Sequence, residues 1–521
     1  MNDLDPALLT ALQRPEAYPH PAAAIEHIET HISNVFLAGD YAYKLKKPVD
    51  LGFLDFTSLE KRRAACAEEL RLNRRLAPDV YLAVVPVCRG PGGIRVTMDG
   101  CGKSEVEIEV AVQMRRLPQE GLLDRLAQRG DLALAHMTDI ARQVARFHAA
   151  AGRGPEIDVY GRIESLRVPV IQNFTQTEPY IGRTVSAALH AQLRASAGRF
   201  LDTHAALFNA RVEQGRIVDG HGDLHLRNMF LEHGKVIVFD CIEFNPALRA
   251  GDAMNDIAFL VMDLLHRGLA AHANRFLNDY LEQTRDYGGL VLLDFYTFYR
   301  ACVRAKVRSF ESDNAMPEAR AAIEREAAAY FDLAARLLAP RRGGLLITCG
   351  LSGSGKTTVA REAARILDGI VVRSDAVRKH LAAIPLDVRG DTSGKEIYTP
   401  QMTQRTYSAL LDHGREIIAS GRWAILDAVY GRRDERTAAA ALARELGVPF
   451  GILYCEAPQV ELERRLQARA AGGADISDAT VEVLAGQLAH FEPPAAEENA
   501  RPAQSAGTAA GLVTLLSGWP R

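Results

Sequence analysis

The sequence has few cysteines and no arrangement of them that suits a zinc site. The seven cysteines are scattered over 521 residues, and no two of them have Cys-x-x-Cys spacing. Their odd number and wide separation also give no sign of the disulfide framework that small secreted domains carry. The cysteine pattern therefore predicts reduced thiols and a cytoplasmic protein.

Strong net charge and long apolar runs are also missing. A formal net charge of −3 at pH 7 gives no electrostatic reason for nucleic acid or an anionic membrane to be the main partner. The most apolar stretch, IAFLVMDLLHRGLAAH, is interrupted by Asp263, His266 and Arg267 and is too short to span a bilayer. We therefore expect no membrane partner and no nucleic-acid partner, and the sequence indicates no particular oligomeric state.

The first residues, MNDLDPALLTALQRPEAYPHP, are acidic early and lack the apolar core of a signal peptide. Leu4, Leu8 and Leu12, with Leu9 beside them, fall at helical spacing. We interpret residues 1–30 as an N-terminal extension that contains a short docking helix.

Two patterns of secondary structure divide the rest of the chain. Residues 31–338 begin with β-prone runs up to about 118 and turn helical from about 119. Residues 339–344 combine proline, arginine and glycine after a long helix and predict a linker. In residues 345–521 the apolar runs LLITCG, WAILDAVY and FGILYCEA alternate with helices, a pattern typical of an α/β domain with a mainly parallel sheet.

A glycine-rich loop opens the second domain. The stretch GLSGSGKTT matches GxxxxGK[ST] completely and lies between the strand LLITC and the helix TTVAREAARIL. Such glycines let backbone N–H groups surround phosphate oxygens, and the helix N-terminus favours negative charge. We predict that Lys356 bridges the β- and γ-phosphates of ATP and that the Thr357 hydroxyl holds Mg²⁺. The residues predicted to bind the nucleotide through this loop are Gly350, Ser352, Gly353, Ser354, Gly355, Lys356, Thr357 and Thr358.

Two carboxylates follow other strands of this domain. Asp427 ends the apolar run WAIL and is predicted to act on Mg²⁺ directly or through water, although a helix cap is an alternative role. Asp375, in VVRSDAVRKHL, follows another strand. With Arg373 and Arg378 it is predicted to orient the acceptor hydroxyl and to receive its proton, as a catalytic residue beside Lys356.

These motifs resemble those of the small P-loop kinases that phosphorylate metabolites or polynucleotide ends, such as gluconate kinase, adenylylsulfate kinase and polynucleotide kinase. The stretches GLSGSGKTT, RSDAVRKHL, ILDAVYGRRDER and ERRLQARAAGGADISDATVEVL carry the resemblance over roughly residues 343–520. It implies a lid around Arg464, Arg465 and Arg469 whose guanidinium groups close on the ATP phosphates. A solvated helix face, paired with glutamates at helical spacing, is the alternative interpretation of these arginines.

A carboxylate, an amide and a second carboxylate occur in a fixed order in the first domain. The stretch HGDLHLRN contains Asp223 and Asn228, and the strand-like VIVFD that follows ends at Asp240. Phosphoryl transfer needs this set, because one carboxylate orients the acceptor hydroxyl while the amide and the other carboxylate hold Mg²⁺ against the phosphates. We predict that Asp223 is catalytic and that Asn228 and Asp240 bind the metal; taken singly, a turn residue and a cap are the alternatives.

This order of residues resembles that of the aminoglycoside and choline kinase-like phosphotransferases, a branch of the protein-kinase fold, over roughly residues 30–338. The resemblance implies an α+β two-lobed fold in which Lys44, in YAYKLKK, pairs with Glu69 and binds ATP. Lys46 and Glu68 are the reserve candidates for this ion pair.

The same resemblance implies three further positions. The backbone near Met114, in AVQMRRLP, would meet adenine, and Asp252 and Asp256, in GDAMNDIAFLVMD, would brace the catalytic loop. The sequence departs from the family pattern in two places. The first hairpin has no GxGxxG, and Asp240 is followed by CIEFNP rather than Phe-Gly, so Glu243 either adds a metal contact or serves structure only.

The sequence thus predicts a bifunctional ATP- and Mg²⁺-dependent kinase, a phosphotransferase with an alcohol group as acceptor. An α+β two-lobed kinase-like domain and an α/β P-loop domain would each move the γ-phosphate to a hydroxyl of a small molecule. Two alternatives stay open: one active kinase with a nucleotide-gated regulator, or a C-terminal polynucleotide end kinase with an N-terminal binding platform. The near-neutral charge and the lack of aromatic and basic stripes argue against the second alternative.

Overall fold

The computed structural model describes residues 4–52, 54–388, 397–472 and 480–503. Two units make up the chain: Met1–Pro179 with His190–Leu264, and Tyr180–Leu189 with Leu265–Arg521. The second unit therefore begins well before the predicted linker at 339–344. The domain boundaries drawn from the sequence stay predictions.

An antiparallel sheet forms the first part of the first unit. Its strands are β1 (Ile25–Glu29), β2 (Ser33–Ala38), β3 (Tyr41–Lys46), β4 (Tyr81–Gly90), β5 (Gly93–Val96) and β6 (Val106–Arg115). They lie in the order β1-β2-β3-β6-β4-β5. Helix α1 (Pro6–Leu12) is the short helix expected in the N-terminal extension, and Asp5 caps it by accepting from Ala7 N–H. Its Leu8 and Leu12 are buried in one core with Phe36 of β2.

Helices form most of the remainder of the first unit. They are α2 (Leu59–Asn73), α3 (Leu123–Arg129), α4 (Leu134–Ala150), α5 (Pro155–Asp158), α6 (Ile163–Thr177), α7 (Ala187–Thr203), α8 (Ala205–Glu213), α9 (Pro246–Arg249) and α10 (Ala253–His266). Four short strands lie between α8 and α10: β7 (Ile217–Asp219), β8 (Met229–Glu232), β9 (Lys235–Val238) and β10 (Ala250–Asp252). β7 pairs with β10 and β8 with β9, both antiparallel. The stretch HGDLHLRN lies in the connection between β7 and β8. The α+β class predicted for this domain is confirmed.

The second unit combines a helical segment with a parallel sheet. Its helices are α11 (Ala270–Thr284), α12 (Leu290–Asn314), α13 (Pro317–Leu337), α14 (Lys356–Leu367), α15 (Ser374–Leu381), α16 (Pro400–Ala419), α17 (Arg433–Glu445), α18 (Gln459–Gly472) and α19 (Val481–His490). Its strands are β11 (Leu345–Cys349), β12 (Ile370–Arg373), β13 (Ala424–Asp427), β14 (Phe450–Tyr454) and β15 (Arg501–Pro502). The order is β12-β13-β11-β14-β15 and every pair is parallel. Every residue of β11, β12 and β13 is buried, which explains their continuous apolar runs and confirms the predicted parallel sheet.

One pair of cysteines departs from the expectation of reduced thiols. Cys88 lies in β4, and Cys101 follows β5 on the way back to β6. The hairpin brings their Cα atoms to 5.6 Å, and the two residues form a disulfide. The sequence interpretation was wrong on this point, because it judged cysteines by their spacing along the chain and the pairing depends on the hairpin.

The apolar stretch around Asp263 folds as α10. In the part of the chain that the structure describes, no helix has the length and apolarity needed to cross a bilayer. Asp256 and Asp263 of α10 are buried, and each accepts hydrogen bonds from backbone N–H groups of the HGDLHLRN connection. Asp263, one of the charges that interrupt the apolar run, therefore helps to hold this loop in place.

Candidate active sites

Lys44 lies between two carboxylates of the first unit. Strand β3 supplies the lysine, and its Nζ lies 2.8 Å from Oε1 of Glu69 on α2 and 2.9 Å from Oδ1 of Asp240. Burial by itself would lower the pKa of Lys44, but the carboxylates of Asp240 and Glu69 outweigh it and hold that pKa well above its usual value. The lysine is therefore a fixed positive charge next to the residue predicted to bind the metal.

Lys46 lies on the same face of β3 and binds the second oxygen of Glu69. Its Nζ is 2.5 Å from Glu69 Oε2, and it also forms an ion pair with Glu243. The Lys46 side chain is completely buried. Burial would raise the pKa of Glu69, but the two lysines lower it to about 2. Both lysines thus contact Glu69, whereas Lys44 is the one that also contacts Asp240.

The other reserve candidate, Glu68, faces different partners. Its carboxylate binds Arg71 at 2.7 Å and Arg249 at 3.2 Å. The structure therefore brings Glu69, and not Glu68, to the lysines. Met114, the predicted adenine contact, lies in β6 opposite Ala42 of β3 and packs beside a small apolar core.

Asp223 and Asn228 lie side by side on the connection between β7 and β8. The Asn228 amide donates to Asp223 Oδ2 at 2.8 Å, and His225 Nε2 lies 3.2 Å from the same oxygen. The Asn228 main-chain oxygen in turn accepts from Phe239 N–H at 3.0 Å. This bond ties the loop to the residue before Asp240. Asp240 itself has a φ of 62°, a left-handed conformation that aspartate tolerates better than most residues.

Asp256 holds the start of this loop. Its two carboxylate oxygens each accept a backbone bond of 2.8 Å, one from His221 N–H and one from Gly222 N–H, and His148 Nε2 lies 3.0 Å away. Gly222 has a φ of 82°, and a Cβ there would lie 2.8 Å from the Arg249 main chain. The loop therefore needs a glycine at position 222 and a carboxylate at position 256 that accepts hydrogen bonds from its backbone N–H groups.

Two further buried contacts support the same region. Asp252 forms a bidentate ion pair with Arg211, at 2.8 Å and 2.6 Å, and both side chains are buried. His221 accepts from Asp223 N–H at Nδ1 and donates from Nε2 to the Phe239 carbonyl, and burial lowers its pKa. A neutral His221 thus joins Asp223 to the strand that leads to Asp240.

The glycine-rich loop of the second unit connects β11 to α14. Gly350, Gly353 and Gly355 have φ values of 144°, 84° and 91°, which favour glycine. A Cβ at Gly350 would collide with the main-chain oxygen of Cys455. Buried Ser354 Oγ has no hydrogen-bond partner among the residues that the structure describes. The residues predicted to bind nucleotide occupy this loop and the first turn of α14: Gly350, Ser352, Gly353, Ser354, Gly355, Lys356, Thr357 and Thr358.

Asp427 joins the loop to the neighbouring strand. It ends β13, and its Oδ2 accepts from the Thr357 hydroxyl at 2.7 Å while its Oδ1 accepts from the Thr348 hydroxyl at 3.1 Å. Lys356 donates from Nζ to the Leu351 carbonyl at 2.8 Å. Burial lowers the pKa of Lys356, and the charge of Asp427 offsets part of that change. The predicted metal pair, Thr357 and Asp427, is therefore in direct contact.

Asp375 lines the same cavity as this loop, and the cavity has a volume of about 1180 Å³. It belongs to the first turn of α15, and Arg378 NH1 lies 3.9 Å from its Oδ1. Arg373 is the last residue of β12 and is the register partner of Asp427 on β13. The cavity is thus lined both by a phosphate-type loop and by a carboxylate with two arginines.

The predicted lid arginines have different surroundings. Arg465 donates to the Gly353 carbonyl at 3.2 Å and to Glu461 at 2.6 Å. Arg464 also binds Glu461, at 2.7 Å, and two thirds of its side chain is exposed. The side chain of Arg469 lies outside the described residues. Arg465 therefore contacts the glycine-rich loop. Arg464 instead fits the alternative interpretation, a solvated helix face.

Two family models match the chain. The model of the phosphotransferase enzyme family matches residues 52–292, and a model of the AAA domain matches residues 345–494. The "Uncharacterized protein Rv2004c" of Mycobacterium tuberculosis (strain H37Rv) is 32% identical over 463 residues, which is 88% of this chain and 89% of that protein. The protein Mb2027c of Mycobacterium bovis matches to the same extent. The chain belongs to their family. It is an ATP-dependent kinase with a phosphotransferase domain followed by a P-loop domain.

The solved structures that resemble this chain are less identical to it in sequence than these relatives are. A choline/ethanolamine kinase family protein from Mesorhizobium loti is 13% identical and covers 64% of this chain and 97% of its own, with a TM-score of 0.38. The Mycobacterium tuberculosis APS kinase CysC, solved with AMPPNP and APS, is 22% identical and covers 34% of this chain and 97% of its own, with a TM-score of 0.26. A gluconokinase from Sinorhizobium meliloti is 19% identical and covers 33% and 89%, with a TM-score of 0.25.

Replacing Asp256 with asparagine is expected to destabilise the first unit by about 3 kcal/mol, because it breaks a buried pair with His148. Burial raises the pKa of Asp256, but His148 and the His221 N–H outweigh it and lower that pKa from 3.8 to about 2. Such a group stabilises the folded state fully above its unfolded pKa, and this contribution, about 2 kcal/mol, is lost as pH falls from about 4 to about 2. Urea unfolding at several pH values measures the difference between the two proteins.

Asp202→Asn is the matched control for that experiment. Asp202 is a solvent-exposed carboxylate on α7 that pairs with Arg167, so its loss should change stability little. The free-energy difference between the parent and Asp256→Asn should be constant above pH 4 and should shrink below it. A difference that does not change with pH would show that the Asp256 carboxylate gains no stabilisation from its partners.

Proposed function

We propose that this protein has two ATP-dependent phosphotransferase sites, one in each unit, and that each site transfers the γ-phosphate of ATP to a hydroxyl group of a small molecule. One observation supports the proposal above all. Each unit contains in its candidate site a lysine suited to phosphates, a carboxylate suited to a metal and a further carboxylate suited to an acceptor. These residues are Lys44, Asp240 and Asp223 in the first unit, and Lys356, Asp427 and Asp375 in the second.

In the first site, Asp223 is the proposed catalytic residue. Its carboxylate would orient the acceptor hydroxyl and receive its proton during transfer. Lys44, with Glu69 behind it at 2.8 Å, would hold the ATP phosphates. The backbone near Met114 would meet the adenine. The hydrogen bond from Asn228 and the contact with His225 would keep the Asp223 carboxylate in one orientation, which favours catalysis by positioning.

In the second site, the N–H groups of the glycine-rich loop and Lys356 would hold the phosphates. Arg465, already bonded to the Gly353 carbonyl at 3.2 Å, would approach them from the other side, and the same role is proposed for Arg469. Asp375 would receive the proton of the acceptor hydroxyl. Arg373 and Arg378 lie beside it in the wall of the cavity and give the acceptor side positive charge.

The donor sets fit Mg²⁺. In the described part of the chain, no cluster of three or more His, Cys, Asp or Glu side chains could hold a metal ion. Magnesium does not need such a cluster, because it is commonly held by one or two carboxylates together with phosphate oxygens and water. We propose Asn228 and Asp240 for the first site and Thr357 and Asp427 for the second. When bound, the ion would neutralise charge on the phosphates.

Binding stoichiometry tests whether there are two nucleotide sites. We expect titration of the full chain with Mg·AMPPNP to give two equivalents bound, and the Lys356→Ala variant to bind one. Lys103→Ala is the matched control, because Lys103 is an exposed lysine far from either loop in sequence, and it should still bind two. A single equivalent bound by the parent protein would contradict the proposal.

A further inference from the structure

Helix α11 lies along the edge of the parallel sheet in the second unit. Strand β12 is the end strand of this sheet, so one row of its backbone groups has no neighbouring strand. Asn278 Oδ1 accepts from Val371 N–H at 2.7 Å, and the side-chain amides of Asn278 and Asn274 donate to the Gly369 carbonyl at 3.1 Å and 3.0 Å. Two asparagines of α11 therefore satisfy backbone groups that a strand would otherwise pair.

Glu282 follows Asn278 by four residues and faces the end of the same strand. Its Oε1 lies 3.5 Å from NH1 of Arg373, the last residue of β12. Its main-chain oxygen accepts from His380 Nε2 of α15 at 2.8 Å. Glu282 and Arg373 are both buried, with 9% and 6% of their surfaces exposed. A buried carboxylate therefore stands behind a buried guanidinium.

The guanidinium belongs to the cavity wall, whereas the carboxylate does not. Arg373 lines the cavity together with Asp375, and its register partner is Asp427, which holds Thr357 at 2.7 Å. Among the described residues, Glu282 is not one that lines the cavity. Glu282 is thus linked to the cavity wall through Arg373.

We propose that Glu282 is a positioning residue of the P-loop site, which fixes the Arg373 guanidinium at the cavity wall so that it meets anionic groups of the reactants. An arginine held from behind by a carboxylate loses less freedom when it binds an anion in front. Glu282 lies in the stretch that matches the phosphotransferase family model, 52–292, and outside the stretch that matches the AAA domain model, 345–494. The second site therefore uses a residue from the other domain's sequence. This inference depends on the proposed function of the second site.

A double-mutant cycle in the full chain tests this role. Asp223→Ala is the common background, so that the turnover of Mg·ATP with water as acceptor measures the second site. Glu282→Gln is expected to lower kcat/KM about 10-fold, below the roughly 100-fold that a 1 Å misplacement of a catalytic group can cost. Arg373→Gln is expected to have the larger effect, and the double variant should match Arg373→Gln alone, because Glu282 acts only through Arg373. Arg373→Lys replaces Arg373→Gln in the cycle should the latter be too slow to measure.

Two control variants separate positioning from packing. Asn278→Ala removes bonds to β12 but keeps the Glu282 carboxylate, so it should lower Tm while kcat/KM stays within about twofold of the background. Glu282→Asp keeps the charge and should recover part of the activity that Glu282→Gln loses. The inference is overturned by a Glu282→Gln protein that is as active as the background, by an equal loss when Arg373 is already changed, or by an Asn278→Ala protein that loses as much activity as Glu282→Gln.

Lys356→Ala in the same background distinguishes a failure of this inference from a failure of the proposed function. Loss of turnover in Lys356→Ala with full turnover in Glu282→Gln would refute the role of Glu282. It would not contradict the proposed function of the second site. Undiminished turnover in Lys356→Ala would refute the second site itself and the role of Glu282 with it.

Discussion

Replacing Asp223 with alanine in a Lys356→Ala background is expected to lower ATP-dependent phosphoryl transfer by about 10²–10⁴-fold, the range that a positioned general base contributes. The reason is local. Asp223 carries the carboxylate that Asn228 orients at 2.8 Å, and removing it leaves the acceptor hydroxyl without its proton acceptor. Lys44 and Asp240 stay in place, so the affinity for Mg·AMPPNP should change little. Release of ADP with time and calorimetric titration measure the two quantities.

The control for this prediction is Asp202→Asn in the same background. It removes a carboxylate from an exposed position on α7, so it should leave turnover within about twofold of the background. A parallel loss of AMPPNP binding in Asp223→Ala would show that the loop had lost its structure. Turnover that stays within threefold of the background would contradict a catalytic role for Asp223.

The sequence indicates both candidate loops because the residues of each loop are close together in the chain. Asp223 and Asn228 lie on one connection, and the glycine-rich loop is a single unbroken motif. Local geometry requires the glycines of these loops, with a φ of 91° at Gly355 and of 82° at Gly222. A backbone conformation that requires glycine is visible in the sequence as a glycine motif, so the glycine motifs and the loop conformations agree.

The partners of those residues could not be predicted in the same way. His148 lies far along the chain from Asp256, yet its ring is 3.0 Å from that carboxylate. Lys46 and Glu243 form a buried ion pair across an even longer separation, although the sequence left the role of Glu243 open. Nothing in the residues around either partner indicates the contact, because it depends on how distant elements pack.

Helices α11 to α13 show that composition and packing carry different information about the chain. The helical segment after Leu265 continues the kinase-like pattern, and the change of composition at 339–344 predicts a linker. In the structure this segment falls in the second unit, where Asp294 of α12 binds Arg422 at 2.6 Å and Asn278 of α11 binds β12. Composition marks where one type of sequence ends, but packing decides which elements fold together.

Replacing Lys356 with alanine in an Asp223→Ala background is expected to lower ATP turnover by about 10²–10³-fold, the cost of removing one donor from developing phosphate charge. Lys356 begins α14, and its Nζ is held at 2.8 Å from the Leu351 carbonyl, inside the loop that would surround the phosphates. Burial lowers the pKa of Lys356, and a phosphate bound beside it would stabilise its charged form. ADP release by the Asp223→Ala variant and by the Asp223→Ala/Lys356→Ala double variant measures the effect. Lys103→Ala in the same background is the control.

The two single variants, Asp223→Ala and Lys356→Ala, together decide between two kinases and one. With two active sites, each single variant keeps the turnover of the other site and only the double variant loses both. With one kinase and a nucleotide-gated regulator, one single variant abolishes turnover, while the other alters the rate without abolishing it. A third outcome, full turnover in the double variant, would contradict both sites at once, because neither the Asp223 loop nor the Lys356 loop could then carry the reaction.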